Sequence, residues 1–270
     1  MKDGENKLNK QNKKGNRYKE NTKKKVKTNK KLIPNIILIF FIILFVFSGF
    51  KIIMWFLNNR ENKKIAEEIS QAITIDEENV EEKEKYKVDF QALKDKNSDT
   101  VGFLKVNGTN IEYTVVKGTN NSYYLKHNFN KESNSAGWIF ADYKNKVDGT
   151  DKNLVIYGHN MRNDSMFGSL KNILNDDWHN EEENKYVTFI TENDNSIYEV
   201  FSVYQVADED YYITTDFKDN EFNDFIKTIK SRSKFDFDVD INENDNILTL
   251  STCANNNKYR VVLHAKKIIE

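Results

Sequence analysis

One cysteine, Cys253, and one proline, Pro34, stand in a chain of 270 residues. A lone cysteine excludes an intrachain disulfide, so the folded part must rest on an ordinary apolar core. Histidine is sparse too. His127, His159, His179 and His264 are scattered, and no two flank a carboxylate at a zinc-ligand spacing, so the sequence offers neither a metal site nor a cofactor motif. Residues 1–31 in turn have almost no apolar side chains and cannot bury enough surface to offset the cost of ordering.

What is present is unevenly distributed. The net charge of −1 conceals a basic tail, with twelve Lys and one Arg in residues 1–31 against Asp3, Glu5 and Glu20, and an acidic remainder. Basic arms can bind nucleic acid, but the position of this one argues for another role. It precedes LIPNIILIFFIILFVFSGFKIIMWFL, residues 32–57, whose only charge is Lys51. As a helix this run reaches roughly 39 Å, enough to cross a hydrocarbon core of about 30 Å with tilt. The run exceeds a signal-peptide h-region, and Asn58, Asn59, Arg60 and Glu61 make no small-residue cleavage site. The expectation is an uncleaved single-pass anchor at the cell membrane, with the tail cytoplasmic and the body extracellular.

Residues 58–98 read as a stalk or N-terminal helices. Ile65, Ile69 and Ile73 form a narrow stripe that Phe90 and Leu93 could continue after the acidic stretch Asp76–Glu84, which suits a spacer better than a coiled coil. Residues 99–270 are of another kind, with short β-rich runs at 101–106, 111–116, 137–143, 153–159, 186–190 and 196–206 and a closing hairpin. Only two helical patterns interrupt them, Met166–Leu174 and Phe222–Ile229. The fold class expected is an all-β barrel or sandwich with helical additions, in one domain.

The closing hairpin pairs Ile247–Cys253 with Tyr259–Lys266 across a polar turn, Ala254 to Lys258. Residues that flank a short hairpin loop face each other, so Arg260 comes within reach of the Cys253 thiol. His159 sits where the apolar run Leu154–Gly158 emerges into the polar segment Asn160–Asn163, a position suited to acid/base work. Spacing alone does not bring His159 to Cys253. His264, on Arg260's face but two residue pairs further from the loop, reads as an ordinary strand residue.

The strings YGHNM at 157–161, TLSTC at 249–253 and YRVVL at 259–263 resemble the histidine, cysteine and arginine motifs of the sortases, closest to class B. NSYYL at 121–125, GWIFADY at 137–143, SMFGSL at 165–170 and EFNDFIKTIKSRS at 221–233 extend the resemblance over about residues 86–270. It implies a closed sortase β-barrel with N-terminal helices and an added helix before the last strand pair. It also implies a cysteine transpeptidase with Cys253 as nucleophile, His159 as acid/base and Arg260 as the cation that holds substrate and stabilises the oxyanion. By motif position it implies substrate contacts at Asn121, Leu125, Tyr212, Ile213 and Ser251. The implied partners are surface proteins carrying an Asn-Pro-x-Thr-like sorting signal and an amino group of a peptidoglycan precursor, with no nucleic acid and no cofactor. Three alternatives remain: a cysteine peptidase that uses water as acceptor, a pilin-polymerising enzyme, and a tethered extracellular binding domain with a structural cysteine.

Overall fold

The structure is a computed structural model that describes residues 32–76, 85–218, 220–254 and 258–268. The basic tail, most of the acidic stretch before residue 85 and the tip of the closing hairpin lie outside the described residues. The chain divides into two units, Met1–Phe50 and Lys51–Glu270.

In the first unit the described residues belong to helix α1, Leu32–Ser70, whose apolar side chains are exposed from Leu32 onward. The helix is long and apolar enough to cross a membrane. Its last turns lie in the second unit and are chemically different. There Ile65 and Ile69 are buried, and buried Asn62 donates to the Gly137 carbonyl at 2.9 Å and accepts from Asn134 Nδ2 at 2.9 Å. The stripe expected of a spacer is thus built into the core.

Ile73 does not continue that stripe. α1 stops at Ser70, the Ala72 N–H closes a turn on the Ile69 carbonyl, and β-branched Ile73, Thr74 and Ile75 form strand β1 instead. β1 (Ile73–Ile75) pairs antiparallel with β2 (Tyr86–Val88). Helix α2 (Phe90–Lys96) follows at once, capped by the Asp89 carboxylate on the Ala92 N–H, and buries Phe90 and Leu93.

Eight strands then close a barrel in the order β10-β8-β7-β3-β4-β5-β6-β9. They are β3 (Thr100–Val106), β4 (Glu112–Val116), β5 (Phe140–Ala141), β6 (Asn153–Gly158), β7 (Tyr186–Ile190), β8 (Asn195–Ala207), β9 (Ile247–Ala254) and β10 (Tyr259–Lys267). Only two residues of the 137–143 run pair as a strand. Gly137 has φ +59°, and the Trp138 N–H turns back to the Tyr124 carbonyl, so pairing begins late. Met166–Leu174 gives a 3-10 segment over Gly168–Leu174, and Met166, with a left-handed φ of 51°, stands before it. Helices α3 (Asp176–Asn180) and α4 (Glu221–Ser231) complete the set, and α4 buries Phe222, Phe225, Ile226 and Ile229 on one face.

Two parallel pairings, β4 with β5 and β6 with β9, interrupt an otherwise antiparallel barrel. The second matters most. It runs β6 and β9 in the same direction, from Asn153↔Ile247 to Gly158↔Thr252, so the residues that follow this paired stretch lie at one rim. His159 and Cys253 are those residues.

Candidate active site

Backbone register builds the site. β9 and β10 pair with Cys253 opposite Arg260, and β8 flanks β10 with Val206 opposite Arg260. On the other side of β9, Gly158 lies opposite Thr252, so His159 follows β6 one step past the last pair. One sheet of four adjacent strands therefore carries the backbones of His159, Cys253 and Arg260 at one end.

The imidazole of His159 is held from a different part of the chain. Its Nε2 lies 2.8 Å from the Leu125 carbonyl oxygen. A carbonyl only accepts, so Nε2 carries the hydrogen and Nδ1 is left for proton exchange. Two glycines make this position possible. A Cβ at Gly158 would stand 2.5 Å from Ile139 Cδ1 and 2.6 Å from Phe167 Cγ, while one at Gly137 would meet the Tyr124 carbonyl at 2.4 Å and the imidazole itself at 3.0 Å.

Arg260 is held by an ion pair, Nη2 to Asp208 Oδ1 at 2.9 Å. Asp208 lies just past β8, and its N–H donates to the Lys258 carbonyl at 3.2 Å, which ties that strand end to the returning arm of the hairpin. The guanidinium is thus aimed by a neighbouring strand. The next residue, Glu209, engages a different cation, Arg232.

A cavity of about 240 Å³ opens between these groups, lined by His159 and Arg260 together with Ser251 and Thr252, the two residues before Cys253. The five positions assigned to substrate contact, Asn121, Leu125, Tyr212, Ile213 and Ser251, all line it as well. Buried Tyr212 has its hydroxyl 3.0 Å from Ser251 Oγ, so these two act as one polar wall. Asn121 is already engaged by the protein: its Nδ2 donates to Asp142 and its Oδ1 accepts the Tyr143 N–H. A larger groove of about 710 Å³, between the last turns of α1 and residues Asn163–Met166, shares none of the named residues. The candidate residues thus gather at the smaller cavity.

Residues not singled out from the sequence also line the cavity: Tyr157, Phe140, and the acidic run Asp208, Glu209 and Asp210. Tyr157 was legible in principle, because two residues before His159 on a strand is the same face. Burial, with the Asp142 carboxylate beside it, pushes its hydroxyl well above the usual tyrosine range, so it is a donor at neutral pH. The acidic run carried no signal, because its meaning depends on which arginines reach it.

His264 is wholly buried. Thr249 Oγ1 donates to Asn153 Oδ1 at 2.6 Å, so its lone pair accepts His264 Nδ1–H at 2.8 Å, and His264 Nε2 accepts from the Tyr204 hydroxyl at 2.8 Å. Burial, with Arg232 adding to it, lowers the pKa of His264 to about 3 from 6.5. The folded state thus refuses a proton that the unfolded chain accepts below about pH 6.5. Stability from this group is full above that pH and falls as the pH drops toward 3, by about 1.4 kcal/mol per unit. Denaturant unfolding at several pH values should show a wild-type slope steeper than that of His264→Gln by about one proton between pH 6 and 4. Equal slopes would contradict this.

A family profile described as the sortase domain matches residues 104–268. The sortase B of Listeria monocytogenes is 34% identical over 230 residues, covering 83% of this chain and 92% of that protein. The chain belongs to the sortase family. Among solved structures, the sortase B of Clostridium perfringens is 43% identical with a TM-score of 0.63, covering 67% of this chain and all of that one. The Staphylococcus aureus sortase B–substrate complex is 33% identical with a TM-score of 0.62, covering 66% of this chain and 84% of that one. The chain is therefore a sortase transpeptidase with the closed barrel of the class B sortases, and its fold and activity are those the sequence motifs implied.

Proposed function

We propose that this sortase is a membrane-anchored enzyme that cleaves an Asn-Pro-x-Thr-like sorting signal after Thr and joins the protein to an amino group of a peptidoglycan precursor. The observation that carries the reading is the single cavity lined by both His159 and Arg260, on the sheet end where Cys253 lies opposite Arg260. Cys253 is the nucleophile. Its thiol proton passes to His159 Nδ1, the thiolate attacks the Thr carbonyl carbon, and negative charge moves to the carbonyl oxygen, where Arg260 meets it. His159 gives a proton to the departing amide nitrogen, the C–N bond breaks, and a thioester remains. An incoming amine then attacks the thioester, loses its proton to His159, and displaces the thiolate.

Asn121, Leu125, Tyr212, Ile213 and Ser251 bind the signal in the same cavity. That a related sortase B is known in complex with triglycine supports an amine acceptor of glycine type. The basic tail before α1 supports an orientation with the N-terminus inside and the barrel outside.

The full-length protein in detergent micelles, given a fluorogenic Asn-Pro-x-Thr peptide, is expected to turn over faster when triglycine is added and to yield the ligated peptide. Hydrolysis indifferent to the amine would make it a peptidase. No reaction across several signal peptides would remove the proposal.

A further inference from the structure

Asp142 is a buried carboxylate, 3% exposed, that the steps above do not use. It follows β5, and its backbone N–H donates to the Val155 carbonyl on β6 at 2.8 Å. Its Oδ2 accepts from both Asn121 Nδ2 and the Tyr157 hydroxyl at 2.7 Å, and its Oδ1 accepts the Lys144 N–H at 2.9 Å. Asn121 Oδ1 accepts the Tyr143 N–H at 3.0 Å. Asn121 and Tyr157 both line the substrate cavity.

The consequence is a fixed direction at Asn121. If its amide flipped, oxygen would face the carboxylate and NH2 would face the Tyr143 N–H, so two repulsive contacts would replace two bonds. A primary amide offers two N–H donors and two lone pairs. The two bonds use one of each, which leaves one donor and one acceptor for a ligand. We infer that Asp142 is a positioning residue that sets the donor and acceptor polarity of the cavity wall at Asn121 and Tyr157. The wall thereby favours a signal side chain that both donates and accepts, a carboxamide, over a carboxylate or an ammonium. The inference rests on the reading of this cavity as the signal-binding site.

The test measures binding by anisotropy on full-length Cys253→Ala protein in detergent micelles, so it needs no turnover. The probes are a fluorescent Asn-Pro-x-Thr peptide and the same peptide with Asp or Lys in place of its Asn. In Asp142→Asn the single amide oxygen cannot serve every donor that the carboxylate served, and Kd for the Asn peptide is expected to rise by about ten-fold or more. The reciprocal pair Asn121→Asp with Asp142→Asn reverses the bond between the two residues: the new amide donates one N–H to the new carboxylate, which still accepts the Tyr143 N–H, gives its second N–H to the Tyr157 oxygen and keeps its own oxygen on the Lys144 N–H, so the Tyr157 hydroxyl loses its acceptor. Its Tm is expected to lie above that of Asp142→Asn, and residue 121 now only accepts, so the Lys peptide becomes the preferred ligand.

Asp142→Asn binding the Asn peptide within about two-fold of the parent would overturn the inference. So would a reciprocal pair with the parent's preference, or an equal loss for all three peptides in Asp142→Asn together with a fall in Tm, which marks a scaffold role only. Amine-dependent turnover by the wild type with unchanged preference in the variants refutes Asp142 alone. A parent chain that binds none of the peptides, with a wild type that turns none over, refutes the signal-binding reading and this inference together.

Discussion

Arg260→Ala is expected to lower kcat/KM for signal cleavage by about 10²–10³-fold, the scale of losing one oxyanion donor. The side chain is 19% exposed and paired with Asp208, whose own side chain is 59% exposed, so the pair contributes about 0–1 kcal/mol to stability and Tm should barely move. Activity and stability thus separate at this residue. Arg260→Lys tests the geometry further. An ammonium keeps the charge but not the planar fork, so it cannot hold Asp208 and meet a developing oxyanion in the same way, and recovery should be slight. Steady-state kinetics and thermal melts of the three proteins decide the matter. A lysine variant near wild-type activity would mean that charge alone is needed.

His159→Gln should cost about 10²–10⁴-fold in the rate of acylation, measured in a single turnover. Glutamine is chosen because its NH2 can still donate to the Leu125 carbonyl, the bond that His159 Nε2 makes at 2.8 Å. The loop that carries Leu125 then keeps its anchor, while the atom left for proton exchange, Nδ1, is gone. His159→Ala, which removes both, should be no slower than His159→Gln in acylation but should unfold at a lower temperature. A glutamine variant within about ten-fold of wild type would reduce His159 to a structural tie between β6 and residue 125.

Alternation and turn residues placed most of the barrel strands, because each strand's pattern is local: the β3–β4 hairpin, β6, β7, β8 and the β9–β10 pair all fall within a few residues of their expected ranges. The errors have local physical causes. Ile73 matched a helical spacing of four, but a turn at Ala72 and three β-favouring residues in a row made a strand of it. The long run 137–143 lost most of its strand to the left-handed backbone at Gly137.

The candidate site was legible as a set of types and motifs, not as a geometry. Arg260 opposite Cys253 follows from hairpin logic, but the parallel pairing of β6 with β9, 94 positions apart in sequence (Asn153↔Ile247), does not. Nor do the pairings Asp208 to Arg260 and Asp142 to Asn121, each of which joins residues from separate loops or strand ends. His264 makes the same point from the other side. Its position on the strand gave it no role, and the structure places it in a chain of buried hydrogen bonds through Thr249, Asn153 and Tyr204 that no spacing rule would assemble.

In the proposed reaction Cys253 carries the signal as a thioester until an amine takes it. Intact mass analysis of the full-length protein mixed with an excess of signal peptide and no amine tests this most directly. The expected result is an adduct equal to the peptide through its Thr, located on Cys253, absent in Cys253→Ala, and discharged by triglycine with the ligated peptide appearing in equal amount. Turnover without an adduct on Cys253, or an adduct that triglycine does not discharge, would contradict it.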